Sequence, residues 1–347
     1  MEYKFENIAF NSTAKKLPED SDRQHYIGLE HLDSNSLYVS RWGSDVTPIG
    51  EKLLMKKGDI LFGKRRAYQR KVGIAPFDGI FSAHGMVLRP KENIMDKDFF
   101  PFFIGSDQFM ERAIRISVGG LSPTINWKDL KEQVFDIPSL DEQKSLATKL
   151  WAAYKLREEY KRLLAATDEM VKSQFIEMFG SRDFLKRLGD YVSVKTGKLD
   201  ANASVEGGRY PFFTCAEKTL SIDTYAFDCN AVLLAGNGEF CVKHYDGKFN
   251  AYQRTYVIES KDESILSTKY LYAWLKDYAN ILKANAIGGV IKYIKLGDII
   301  NAQINLPSQD RQLEYVKIYE QADKSKFELK RSIEAIDKVI KSLINNI

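Results

Sequence analysis

The sequence predicts an α+β fold: two similar mixed α/β domains separated by two long antiparallel coiled-coil helices, related as a pseudo-twofold internal repeat. Three observations predict it. Gly119-Gly120, Ile125, Asp129 and Pro138-Ser139-x-Asp141-x-Gln143 return as Gly288-Gly289, Ile294, Asp298 and Pro307-Ser308-x-Asp310-x-Gln312, eight identities in 25 positions at a constant offset of 169. Each copy runs into a long helix with heptad spacing. Short β-like runs precede both copies in the same order, so one architectural unit is used twice.

Residues 1–138 form the first domain. Ile60-Leu61-Phe62 and Met86-Val87-Leu88 read as strands bounded by Gly and Pro. A Phe-rich helical stretch runs from Phe99 through Phe109 to Ile116 and ends at Gly119-Gly120. Residues 139–180 read as one long helix, opened by a Ser139-x-x-Glu142 capping box after Pro138 and stopped at Gly180. Its apolar seam is Leu146, Leu150, Ala153, Tyr160, Leu164, Val171 and Met178.

Residues 186–306 repeat the first domain. Ala231-Val232-Leu233-Leu234 and Tyr256-Val257-Ile258 are the matching strands, and a helix over 270–282 precedes Gly288-Gly289. The offset between copies falls from 183, at Phe5 and Leu188, to 169 at the Gly-Gly, which makes the second copy 14 residues shorter in its early loops. Residues 308–347 form the second long helix, with Tyr315, Tyr319, Ala322, Leu329, Ile333, Ile336, Ile340 and Leu343 on its seam. Adding 169 to a seam position of the first helix lands on the seam of the second, and Arg157 and Lys326 interrupt both at the same heptad position. A single amphipathic helix packed on a globular domain shows a similar stripe. Two in matching register favour a mutual pair, a spacer roughly 58 Å long.

A chain of 347 residues is long enough for two cores, and its 44% hydrophobic and 28% charged content is ordinary for a globular protein. No run of 18 apolar residues is present, so no membrane span is expected. The opening residues carry no secretory signal pattern. Cys215, Cys229 and Cys241 are odd in number and lack C-x-x-C spacing, which reads as reduced thiols and a cytoplasmic setting.

The net charge of +4 identifies no partner, but its distribution is informative. Lys64, Arg65, Arg66, Arg70 and Lys71 put five cations into eight residues with no acid among them. These cations can contact phosphates or the guanine O6/N7 edge, while Tyr68 and Gln69 offer apolar and adenine-type contacts, with His84 nearby in the pattern. A solvated loop would show the same cluster. The equivalent turn of the second copy holds Asn237 and Glu239, followed by Lys243, His244, Tyr252, Gln253 and Arg254. Asn and Gln suit adenine and Glu accepts from cytosine N4, as expected of copies tuned to different bases. Residues 122–126 and 292–295 can also reach phosphates, but Ile125 and Ile294 read as anchored core positions, which favours a structural role.

Several chemistries are not signalled. The Walker A motif is missing, as is the [Asp/Asn]-Pro-Pro-aromatic motif of DNA amino-methyltransferases. Four scattered histidines lack metal spacing, and no nucleophile stands with a matched base. No catalytic residue, metal or cofactor is expected on this chain.

The residues resemble the specificity subunits of type I restriction–modification enzymes over essentially the whole chain. The carriers are Tyr26-Ile27-Gly28-Leu29-Glu30-His31-Leu32, Gly58-Asp59-Ile60-Leu61-Phe62-Gly63-Lys64-Arg65, Pro138-x-x-x-Glu142-Gln143, Leu188-Gly189-Asp190-Tyr191 and the run from Pro307 to Gln312. The second copy departs by carrying Asp310-Arg311-Gln312 where Glu-Gln is usual, so the helix cap is not carried over there. The resemblance implies target-recognition domains at 1–138 and 186–306, each reading one half of a bipartite, asymmetric site in double-stranded DNA. The helices would set the spacing and dock two methyltransferase subunits, which hold S-adenosylmethionine and flip the adenine. Restriction (translocase) subunits would join that core. A system whose partner fuses methylase and nuclease, a stand-alone DNA methyltransferase and a coiled-coil scaffold remain as alternatives.

Overall fold

The computed structural model describes residues 1–34, 36–180, 185–288 and 292–345. Gly289, Asn346 and Ile347 therefore lie outside the described residues. The chain divides into two compact units, Met1–Arg162 with Arg331–Ile347, and Leu163–Lys330.

In the first unit, the strand Met86–Pro90 lies between Ala9–Ser12 and Ile60–Phe62, and Ile60–Phe62 continues as a hairpin into Val72–Ile74. A second four-stranded sheet is ordered Lys15–Lys16, Lys52–Met55, Gly79–Phe81, Tyr26–Ile27. Both expected strands are present. The Phe-rich stretch is two helices, Phe100–Gly105 and Asp107–Arg115, and not one. The chain turns at Ser106, whose extended backbone breaks the helix and whose hydroxyl accepts from the Phe109 amide. Phe5, Phe103, Phe109 and Phe135 meet in one fully buried aromatic cluster, each worth roughly 2–3 kcal/mol of burial.

The second unit repeats the first sheet and extends it. Thr255–Ser260 lies between Val192–Thr196 and Phe227–Ala235, which pairs with Val242–Ala251. Here the hairpin is three times longer, and Tyr210–Phe213 joins its outer strand in parallel, giving one six-stranded sheet where the first unit has two sheets of four. The helix Thr268–Asn285 covers the sheet through Tyr270, Leu271, Leu275 and Leu282. Phe5 and Leu188, paired at an offset of 183, are both fully buried, and their amides donate to the equivalent carbonyls of Gln133 and Ala302. At the hairpins the offset is already 172 (Phe62 with Leu234, each paired to the equivalent central strand), so most of the shortening does fall in the early loops.

The long helices span Leu140–Phe179 and Gln309–Asn345. The Ser139 amide donates to Glu142 at 2.8 Å and the Glu142 amide to Ser139 Oγ at 3.4 Å, the reciprocal capping box. In the first unit, Leu146, Leu150, Ala153, Ile336, Ile340 and Leu343 enter one core. In the second, Val171, Met178, Tyr315, Tyr319 and Ala322 enter another. Tyr160, Leu164, Leu329 and Ile333 are half-buried. Within the second unit the helices run antiparallel: Asp168 meets Lys326, and Phe175 meets Tyr315.

Where Glu142 caps the first helix, its equivalent Arg311 does different work. Its guanidinium donates to the Met178 carbonyl at 2.8 Å and lies over the Phe179 ring, satisfying an end carbonyl of the first helix. Gln143 and Gln312, by contrast, do the same thing. Each is fully buried, accepts from one backbone amide (Asp96 at 2.7 Å, Ser267 at 3.0 Å) and donates to two carbonyls (Ile94 and Pro138; Ile265 and Pro307).

Candidate nucleic-acid interface

In the first unit, the hairpin tip between Phe62 and Val72 is built around a single 3-10 turn, Ala67–Gln69. Arg66 (φ 56°) and Arg70 (φ 52°) flank it in the left-handed region that L side chains rarely adopt. Such strain is held by surrounding contacts, and here Ala67 is buried as a plug and the Arg66 amide donates to the Pro123 carbonyl at 2.8 Å.

The five cations divide into two groups. Arg65 and Arg66 are exposed and have no carboxylate partner among the described residues; Arg66 Nε donates to Ser122 Oγ at 3.2 Å. Lys64 is half-buried, and burial holds its ammonium below the ordinary lysine range. Arg70 and Lys71 turn away from the tip. Arg70 Nη2 donates to Asp107 at 2.5 Å and to the Gly105 carbonyl at 3.2 Å, and Lys71 Nζ donates to the Leu29 carbonyl at 2.7 Å. This departs from the reading of both as nucleic-acid contacts: their donors are committed within the fold. Tyr68 stays 55% exposed on the tip, and the Gln69 carbonyl accepts from Ser34.

His84 is exposed beside this group. Burial first, then the charges of Arg65, Lys64 and Lys52, hold its imidazole below the ordinary value, so it is neutral at pH 7.

The Gly-Gly segment completes the tip, which the sequence did not reveal. The Val118 and Thr124 amides each donate to the other's carbonyl, at 3.0 and 2.9 Å, closing a short loop. Gly119 in that loop has φ +118°, which favours glycine. Thr124 also bridges to Arg65, and the Ile125 amide donates to the Lys64 carbonyl at 2.9 Å. Ile125 is fully buried, as expected of an anchor.

The second unit repeats this joint. Ile287 and Tyr293 exchange backbone bonds at 3.1 and 2.8 Å, Tyr293 bridges to Asn237, and the Ile294 amide donates to the Gly236 carbonyl at 3.0 Å. Asn237 and Gly236 thus stand where Arg65 and Lys64 stand. Gly236 is required by close approach: a Cβ there would lie 2.6 Å from the Arg254 carbonyl. Arg254 is exposed at the position equivalent to His84, beside exposed Gln253 and half-buried Tyr252.

Other expected contacts sit elsewhere. Glu239 accepts from the Glu217 amide at 2.6 Å. Lys243 Nζ donates to the Ala216 carbonyl at 2.9 Å, and burial lowers its affinity for a proton. His244 Nε2 bonds Asn230 Oδ1 at 2.8 Å, and burial keeps that ring neutral. Lys243 and His244 line a hollow of about 850 Å³ between the hairpin and the helix Thr268–Asn285, with Tyr245, Tyr272 and Lys276.

Two turns of the same construction, one cationic and one Asn/Tyr-bearing, suit a polymer with a uniform backbone and variable edges. The family model described as "Type I restriction modification DNA specificity domain" matches residues 10–163 and again 185–337. A curated relative, the type I restriction enzyme EcoDI specificity subunit of Escherichia coli, is 50% identical over 125 residues. That match covers 36% of this chain and 28% of that subunit's length. The MjaIX specificity subunit of Methanocaldococcus jannaschii is 24% identical over 323 residues, covering 79% of this chain and 73% of that one. Among solved structures, the type I restriction–modification S subunit from M. genitalium shares the fold, with a TM-score of 0.64 at 15% identity over 99% of this chain and 94% of the other.

Proposed function

Because this chain belongs to the type I restriction–modification DNA specificity family, we propose that it is the non-catalytic DNA-recognition subunit of such a complex. Each unit reads one half of a bipartite, asymmetric site in duplex DNA. The observation that carries this reading is the repeated joint at the hairpin tips: the Val118–Thr124 pair and the Ile125–Lys64 bond return as the Ile287–Tyr293 pair and the Ile294–Gly236 bond, with different side chains around them. Matching mounts with different tips suit two different half-sites. Phosphate attraction concentrates on Lys64, Arg65 and Arg66; edge recognition in the second unit falls to Asn237, Gln253 and Arg254.

The long helices dock two methyltransferase subunits, which hold S-adenosylmethionine and carry out base flipping and transfer; restriction subunits join them. No helix among the described residues is long and apolar enough to cross a membrane, and the assembly works on cytoplasmic DNA.

The test is to assemble the chain with its methyltransferase subunits, expose DNA to the complex and sequence the modified adenines. A split motif with an unread gap is expected. A single contiguous motif, or modification without any sequence preference, overturns the reading.

A further inference from the structure

Leu121 is 97% exposed, more than any other large apolar side chain described, and it sits on the loop that completes the first reading tip. Val118, on the same loop, is 64% exposed. An exposed leucine on a slack loop needs no explanation. This loop is not slack: it is closed by the Val118–Thr124 pair, strapped to Arg65 through Thr124, and bonded to Arg66 through the Pro123 carbonyl and the Ser122 hydroxyl. The fold thus presents an apolar side chain to water in fixed company with two guanidinium groups that lack carboxylate partners among the described residues.

We infer that Leu121 is a specificity-determining residue of the first half-site, making an apolar contact with the C5-methyl of a thymine in the major groove. The inference rests on the DNA-recognition reading above and names what one side chain reads. Arg65 and Arg66 supply the attraction that brings the loop to a polyanion, and fix its register through phosphates. The thymine methyl is the one apolar feature among the major-groove edges, and the matching protein group is an aliphatic side chain. A neighbouring acidic or polar loop would suit cytosine or adenine edges instead; residues 118–121 offer Val, Gly, Gly and Leu.

The experiment uses the assembled methyltransferase complex on its own mapped site. Each thymine of the first half-site, on either strand, is replaced in turn by uracil, which removes only the methyl group. One replacement should weaken binding roughly fourfold for the native complex, the worth of one buried methyl. Leu121→Ala should lose a similar factor on thymine DNA and be indifferent to that same replacement. Replacements in the second half-site should affect both proteins equally. Because the side chain is almost wholly exposed, thermal unfolding of Leu121→Ala should match the native chain, and Leu121→Met should retain the uracil sensitivity.

The inference fails if Leu121→Ala and native complexes respond alike to every uracil probe. It also fails if Leu121→Ala instead abolishes 2-aminopurine unstacking without any uracil dependence, which would make the leucine a wedge. A complex with no bipartite site at all sinks the parent reading, and this one with it.

Discussion

Arg157 Nη1 donates to Asp337 Oδ1 at 3.0 Å between the two long helices of the first unit, and Lys326 Nζ meets Asp168 at 3.0 Å between those of the second. Both members of the second pair are the first pair shifted by 169. The seam interruption that looks like a flaw in each heptad pattern is therefore a cross-helix ion pair, placed twice. The two are not equal in burial. Arg157 is 6% exposed and also lies over the Tyr154 ring at 4.3 Å, whereas Lys326 is 19% exposed. Arg157→Ala should cost about 2 kcal/mol or more, through lost packing and orphaned partners, and Lys326→Ala under about 1 kcal/mol. Urea unfolding of the two variants checks the order; equal costs would show that burial does not matter here.

Gln143→Ala removes the partner of one amide and two carbonyls at a fully buried position. A loss of about 3 kcal/mol is expected, since each buried orphan costs about 1–3 kcal/mol. Gln312→Ala should match it closely, because the bonding is the same. A variant whose urea midpoint stays at the native value would remove the glutamine from its anchoring role.

Arg65→Ala and Arg66→Ala should weaken recognition of one half-site only, with a flatter salt dependence of about 0.9 log units per lost phosphate contact. Asn237→Ala and Arg254→Ala should act on the other half-site alone. Methylation patterns that lose both halves together would contradict one reader per half.

Arg70→Ala should also weaken the first half-site, but with an unchanged salt slope. Its guanidinium holds Asp107, which in turn accepts from Asn345 at 2.7 Å at the end of the second long helix. Salt titration of DNA binding separates this positioning role from a phosphate contact.

His31, His84 and His244 are all held below the ordinary imidazole value, burial being the first cause in each. His31 Nδ1 also accepts from the Gly28 amide at 3.0 Å, a bond made by the unprotonated nitrogen. A lowered folded value stabilises above the unfolded pKa of about 6.5, and that stability fades as pH falls from there toward the folded values. Unfolding midpoints should therefore decline as pH falls below about 6.5. DNA phosphate near His84 works the other way, favouring proton uptake, so affinity should rise over the same range and His84→Gln should abolish the rise.

Much of this was legible because the repeat is exact where backbone bonding is strict. Gln143 and Gln312 recur because each bonds three fixed backbone groups, Ile125 and Ile294 because each is buried, and Gly119 and Gly288 because each holds a left-handed φ, 118° and 122°. The cations were less legible. Composition cannot tell Arg66 from Arg70, whose partner Asp107 is 37 residues away. Nor can it show that residues 118–124 dock on residues 64–66, since that contact exists only after folding. The helix break at Ser106 was open to reading, because Gly105-Ser106-Asp107-Gln108 interrupts the apolar run and Ser106 is a good cap. In the second unit, Asp228, Asn230 and Asp246 disguised strands whose ladder, rather than their side chains, keeps them extended.

The paired glutamine joints have one more implication. A mount that grips only main-chain atoms is blind to whatever sequence the gripped domain carries beyond it. Loops at the far side of that domain are free to drift, or to be exchanged wholesale, and the handle will still fit. New addresses can accumulate in such a molecule without the rest of the machine being rebuilt.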